Sequence, residues 1–141
     1  MSSSAAPERQ RNVSYPLFTA QALEGICAVL ADTNEGLTGT EINQILTTLD
    51  MYDPGPITKR DRLGQSFSSA QNATGNGDPI VQFIEAAMTP IRYTQRQQAF
   101  DLRRTKLNLV LAFCGLNLAD QGKVATCEPA HTLHEAEERA D

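Results

Sequence analysis

Leu37-Thr38-Gly39-Thr40-Glu41-Ile42 and Thr58-Lys59-Arg60-Asp61-Arg62-Leu63 decide how this chain is read. The first is a helix entrance. A threonine followed three residues later by a glutamate predicts a capping box: the Thr38 hydroxyl accepts from the Glu41 N–H, and the Glu41 carboxylate accepts from the Thr38 N–H. Ile42, Ile45, Leu46 and Leu49 then recur at helical spacing, which gives a helix of about three turns. Asp53-Pro54-Gly55-Pro56 forbids its continuation. Thr58 caps the next helix, roughly 59–70, with Leu63, Phe67 and Ala70 facing inward. Two consecutive helices of this kind have the outline of a helix-turn-helix, whose second helix opens with Lys59, Arg60 and Arg62.

Working outward, Thr19 caps a first helix with Leu23, Ile26, Cys27 and Leu30 on one face, ended by Asn34-Glu35-Gly36. Residues 71–77, Gln-Asn-Ala-Thr-Gly-Asn-Gly, read as an exposed loop. The loop holds Asn72-Ala73-Thr74, a glycosylation tripeptide of a kind common by chance. Asp78 as N-cap and Pro79 as first residue open a fourth helix bearing Ile80, Ile84, Ala87 and Met88, which Thr89-Pro90 ends. Thr94-Gln95-Arg96-Gln97 matches a second capping box, and a long fifth helix runs to about Cys114, with Gly115 placed to cap it. Leu116-Asn117-Leu118 and Val124-Ala125-Thr126 flank a turn and predict a short hairpin. A third capping box, Thr132-Leu133-His134-Glu135, starts a helix with only Leu133, Ala136 and Ala140 to bury. So little apolar surface suggests a truncated domain or a helix completed by a partner. The expectation is a mainly α fold of about five helices with a C-terminal β-hairpin, winged-helix-like. Residues 1–14 form a disordered tail, 15–126 the domain, and 127–141 an extension or the start of a linker helix, frayed alone or ordered by another chain.

The chain has 141 residues, 40% hydrophobic and 21% charged, enough for one domain with a modest core. Apolar runs such as Leu109 to Cys114 are far too short to span a bilayer, and the N-terminus lacks the basic-then-apolar order of a secretory signal. Three scattered cysteines make no disulfide framework. A cytoplasmic setting without membrane contact is therefore expected. The formal charge of −5 conceals a segregation. Residues 19–57 carry six acids and no Lys or Arg, 58–107 carry eight bases against four acids, and 108–141 are again acidic. That arrangement permits one basic face, or an internal pairing of basic and acidic segments.

The inventory for catalysis is thin. Cys127, His131 and His134 offer three zinc-type ligands where a structural site wants four, while Cys27 and Cys114 sit at apolar helix positions. Neither a phosphate-binding glycine loop nor a metal-loop spacing is present. No enzyme activity, cofactor or metal is expected. Nucleic acid is the leading ligand class, with Lys59, Arg60 and Arg62 expected on one exposed face of the third helix and Arg103, Arg104 and Lys106 on the fifth. Against it stand the long connection from Leu49 to Thr58, Asp61 among the bases, and the acidic total. The rival is a protein-interaction or oligomerisation module whose bases only neutralise its own acidic helices.

Five stretches together resemble the N-terminal region of the bacterial Ymh-type uncharacterised proteins. Besides the two opening motifs they are Phe83-Ile84-Glu85-Ala86-Ala87-Met88-Thr89-Pro90-Ile91-Arg92-Tyr93, Leu107-Asn108-Leu109-Val110-Leu111-Ala112-Phe113-Cys114-Gly115-Leu116 and Thr132-Leu133-His134-Glu135-Ala136-Glu137. The resemblance covers about 15–138. It implies a recognition or regulatory module in a phage-defence or mobile-element context, in proteins whose C-terminal half resembles abortive-infection HEPN domains. The effector motif of those domains, an Arg four to six residues before a His, has no counterpart before His131 or His134. The resemblance thus implies the recognition half without the effector half.

Overall fold

The computed structural model describes residues 14–140. Apart from Ser14, the expected tail lies outside the described residues. The fold is mainly helical and ends in a two-stranded hairpin and a last helix. Its elements are α1 (Ala20–Leu30), α2 (Gly39–Thr48), α3 (Lys59–Thr74), α4 (Asp78–Ala87), a 3-10 turn (Pro90–Tyr93), α5 (Gln97–Leu111), a second 3-10 turn (Ala112–Cys114), β1 (Leu116–Leu118), β2 (Val124–Thr126) and α6 (Leu133–Ala140).

The caps at Thr19 and Thr38 form as the sequence predicts, the second with both reciprocal hydrogen bonds. Thr58 accepts from the Asp61 N–H at the start of α3. Each amphipathic face then enters one core: Leu23, Ile26, Cys27 and Leu30 from α1, Ile42, Ile45 and Leu46 from α2, Leu63 and Phe67 from α3, Ile80, Phe83 and Ile84 from α4, and Phe100, Leu107 and Leu111 from α5. Helix α1 packs on α3 and α5, α4 joins α2 to α3, and α5 carries both β1 and α6. The strands are antiparallel, Leu116 facing Thr126 and Leu118 facing Val124.

Three expectations are corrected. Helix α3 runs on through Thr74 to a left-handed Gly75, so Gln71 to Thr74 are helical rather than loop. The physical reason is Gln71, which is buried: its Nε2 donates to the Phe18 carbonyl (3.0 Å) and its Oε1 accepts from the Phe18 N–H (2.9 Å). Its side chain thereby completes the backbone pairing of the N-terminal segment. Gly77, not Asp78, is the N-cap of α4; Asp78 is the first helical residue and its Oδ1 accepts from the Tyr15 N–H at 2.7 Å. The Thr94–Gln97 box does not form. The 3-10 turn at Pro90–Tyr93 occupies the preceding residues, α5 begins after Arg96 without a side-chain cap, and Gln97 donates to Asp101 instead.

At the C-terminus Thr132 accepts from the Glu135 N–H, but the Glu135 carboxylate accepts from the His131 N–H one residue before the expected partner. Helix α6 lies along α5 through small side chains, Ala112, Ala130 and Ala136 forming a minor cluster. Leu133, counted among the residues available to bury, is 71% exposed.

Candidate functional site

The connection between α1 and α2 and the start of α3 converge on two of the expected contact bases. Lys59 folds its ammonium inward, donating to the carbonyls of Asp32 (2.9 Å) and Leu37 (2.8 Å). Arg62 meets Asp53 with both prongs, Nε to Oδ1 at 2.9 Å and Nη2 to Oδ2 at 2.6 Å, and Nη1 reaches the Gly39 carbonyl. A planar fork facing a carboxylate is the strong form of this contact. The expected single exposed face of Lys59, Arg60 and Arg62 is therefore corrected: Arg60 is exposed, and the other two staple α3 to the preceding loops. Leu63 and Phe67 are buried as the spacing requires.

The Arg62 hydrogen bond, with the Gly55 N–H, holds the Asp53 carboxyl below the usual carboxylate range. A carboxyl depressed in the folded state contributes stability above its unfolded value near ~4, and that contribution is lost as pH falls through the folded value. The pair is partly solvated, its side chains 14% and 29% exposed, so Asp53→Asn is expected to cost at most ~1 kcal/mol at neutral pH. Urea titrations of both proteins at neutral pH and in progressively more acid buffer check this, because the difference should shrink as Asp53 is protonated.

On α5 the bases are likewise engaged. Arg103 is buried at 6% exposure; Nη1 donates to the Tyr93 hydroxyl and Nη2 to the Glu35 carbonyl at 2.8 Å. Arg104 Nε donates to the Leu118 carbonyl at 2.8 Å, tying α5 to the hairpin. Lys106 is half-buried beside Asp32 and Glu35 at a small cavity of about 110 Å³. The Asp32 carboxyl is lowered chiefly by the backbone N–H groups of Glu35 and Asn34, with the Lys106 and Lys59 charges adding.

Besides Arg62 with Asp53, the basic and acidic segments also meet through two residues the sequence reading did not assign to a site. Arg92 Nη1 and Arg96 Nη2 each lie 4.0 Å from Glu41 Oε2, and Arg96 also stacks on the Tyr93 ring. Burial raises the Glu41 carboxyl, but hydrogen bonds from Thr38 and the charges of Arg103 and Arg96 outweigh it and hold the group low. The signal in the sequence was the base-free 19–57 segment.

The cysteines offer no activated nucleophile by their environment where a shift is resolved. Desolvation pushes Cys27 up to about 12 against the opposing charge of Arg60, and burial raises Cys114. Cys127, His131 and His134 are exposed at the approach to α6, where His134 faces Glu138. Among the described residues no group of three or more His, Cys, Asp or Glu side chains could hold a metal ion. No described helix is long and apolar enough to cross a membrane.

The surface feature that sequence reasoning missed is apolar. Between α1 and α5 runs a groove of about 490 Å³, its floor Ala22, Gly25 and Val110. Leu17, Phe113 and Leu133 stand at it, 55%, 43% and 71% exposed, and none of its lining residues is charged. The two other large clefts carry charge: Glu24, Arg60 and Asp61 line one of about 590 Å³ between α1 and α3, and Asp50 and Asp78 line one of about 430 Å³. The groove was hard to foresee because its walls come from the N-terminal segment, the end of α5 and the start of α6. At its floor Gly25 lets α1 and α5 pack closely, since a Cβ there would lie 3.0 Å from the Val110 side chain. Comparison with protein-family models, curated proteins and solved structures finds no match to this chain.

Proposed function

We propose that this domain is a non-catalytic protein-interaction module, with most of its basic residues committed to its own architecture. One observation carries the reading. Of the six bases expected to contact nucleic acid, Lys59, Arg62, Arg103 and Arg104 spend donors on internal carbonyls or on Asp53. Moving them onto phosphate would give up these part-buried hydrogen bonds and the packing that depends on them. With the net charge of −5, little attraction for a polyanion remains. The resemblance to Ymh-type N-terminal regions supports a recognition role in a phage-defence or mobile-element setting.

Titration of labelled duplex DNA and of RNA, at low and at physiological salt, tests the reading. The expected result is no salt-linked binding, and no difference between the wild type and Arg60→Glu. Binding that weakens with a log–log slope of about one per phosphate contacted, and is lost in Arg60→Glu, would overturn it in favour of nucleic acid.

A further inference from the structure

We propose that the small cavity between the end of α1 and α5 binds a free amino acid of glycine or alanine size. It takes the zwitterion, with the ammonium toward Asp32 and Glu35 and the carboxylate toward Arg103 and Lys106. This site goes beyond the protein-interaction reading and does not depend on it.

Charge selects the ligand class. Asp32, Glu35, Arg103 and Lys106 are the charged residues lining the cavity, two acids and two bases. Lys59 also acts on Asp32, but its ammonium is held by the carbonyls of Asp32 and Leu37. Acids and bases this near would ordinarily close on one another. Among the described residues, however, neither the Glu35 carboxylate nor the Lys106 ammonium makes an ion pair. Arg103 is also short of a countercharge. Its hydrogen-bond partners, the Tyr93 hydroxyl and the Glu35 carbonyl, are uncharged, and its buried Nε has no partner. Glu41, which also feels its charge, is shared with Arg92 and Arg96. A carboxylate beside the guanidinium supplies what is missing. A lone anion would leave the acids unmatched, and a lone cation would leave the bases so. A zwitterion answers both.

The walls are fixed before any ligand arrives. Asp32 Oδ2 accepts from the N–H groups of Asn34 (3.1 Å) and Glu35 (2.8 Å), which leaves Oδ1 for an ammonium. Gly36 packs so tightly on this turn that a Cβ there would lie 2.4 Å from the Asp32 nitrogen. On α5, Ala99, Leu102, Arg103 and Lys106 follow at i, i+3, i+4 and i+7 and so share one face. Such preorganisation lowers the cost of binding.

Size narrows the class. A dry cavity of ~150 Å³ holds benzene, so about 110 Å³ holds roughly five or six non-hydrogen atoms. Glycine and alanine have that size. The apolar remainder of the lining, Ala28, Val29, Ala99 and Leu102, suits a hydrogen or a methyl group.

The probes are glycine and alanine, titrated at low salt into the whole chain labelled with nitrogen-15 and followed by amide chemical shifts. Acetate and methylammonium, each carrying one of the two charges, are the controls. Saturable shifts are expected around Glu35 and Lys106, with a Kd near ~1 mM for so small a ligand. Each control should bind at least about tenfold more weakly. Glu35→Gln and Lys106→Gln leave the hydrogen bonds of Asp32 and Arg103 in place, and each should weaken alanine binding about tenfold. The amide spectrum of each variant verifies its fold, and the two controls need no variant at all. Absence of saturable shifts, acetate or methylammonium binding as tightly as alanine, or full affinity in either folded variant would each overturn the proposal.

Discussion

Phe67→Ala is expected to destabilise the domain by ~3–5 kcal/mol, the usual cost of truncating a fully buried aromatic side chain. Phe67 is completely buried where α3 meets α4, and its ring stands edge-on to Phe83, centroids 5.0 Å apart at 71°. Truncation removes transfer energy and the edge-to-face contact together. It also leaves a void in the core that its neighbours could fill only by shifting their helices. Total stability of a domain this size is about 5–15 kcal/mol, so much of the margin would go. Urea denaturation should show a large fall in midpoint at nearly unchanged slope. A loss below about 1 kcal/mol would mean that the α3–α4 contact is not packed as described.

The second large effect is expected at Asn108. Its Oδ1 accepts from the Leu118 N–H at 2.7 Å, and its Nδ2 donates to the Leu118 carbonyl at 3.0 Å. Both Asn108 and Leu118 are buried, so water cannot replace the amide. Asn108→Ala strands the Leu118 N–H, while the carbonyl keeps Arg104. An orphaned buried donor costs about 1–3 kcal/mol, and the lost side-chain volume adds to it, for a total of ~2–4 kcal/mol. Asn108→Asp is the informative companion. It keeps the acceptor but turns a carboxylate oxygen toward the Leu118 carbonyl, so it should also be destabilising and should recover where acid protonates the group. Thermal unfolding of both variants across pH checks the pair of expectations.

What could be read from the sequence was local. The Thr38–Glu41 box, the Thr19 cap and the helical spacing of Leu23, Ile26, Cys27 and Leu30 are satisfied within one or two turns, and all three recur in the fold. The strands at Leu116 and Val124 are adjacent in the chain and pair as the expected hairpin. Errors arose where a distant residue decided the outcome. Gln71 belongs to a helix because Phe18, fifty-three residues earlier, needs its amide. Thr94 is no cap because proline at the start of Pro90–Tyr93 winds a 3-10 turn ahead of it. The contact bases suffered most. Lys59, Arg62, Arg103 and Arg104 carry the charges of a binding face, and only three-dimensional proximity to Asp53 and to the carbonyls of Asp32, Leu37, Glu35 and Leu118 shows that those donors are already engaged within the domain.

The way the N-terminal segment is fastened bears on the order of events during synthesis. Tyr15 accepts at its carbonyl from the Gly77 N–H and donates to Asp78, while Phe18 is bracketed by Gln71. Tyr15 and Phe18 thus have partners that emerge more than fifty positions later. Until α3 and α4 exist, Phe18 has nothing to enter, and Leu23, Ile26 and Leu30 on α1 lack the core they fill. Closing such long loops costs entropy that only the assembled α3–α5 body can repay. The segment ahead of α1 is consequently a late latch: vectorial synthesis supplies it before its partners, and folding uses it after them. In the nascent chain that interval leaves the apolar side of α1 uncovered, the state in which a growing polypeptide most needs a chaperone.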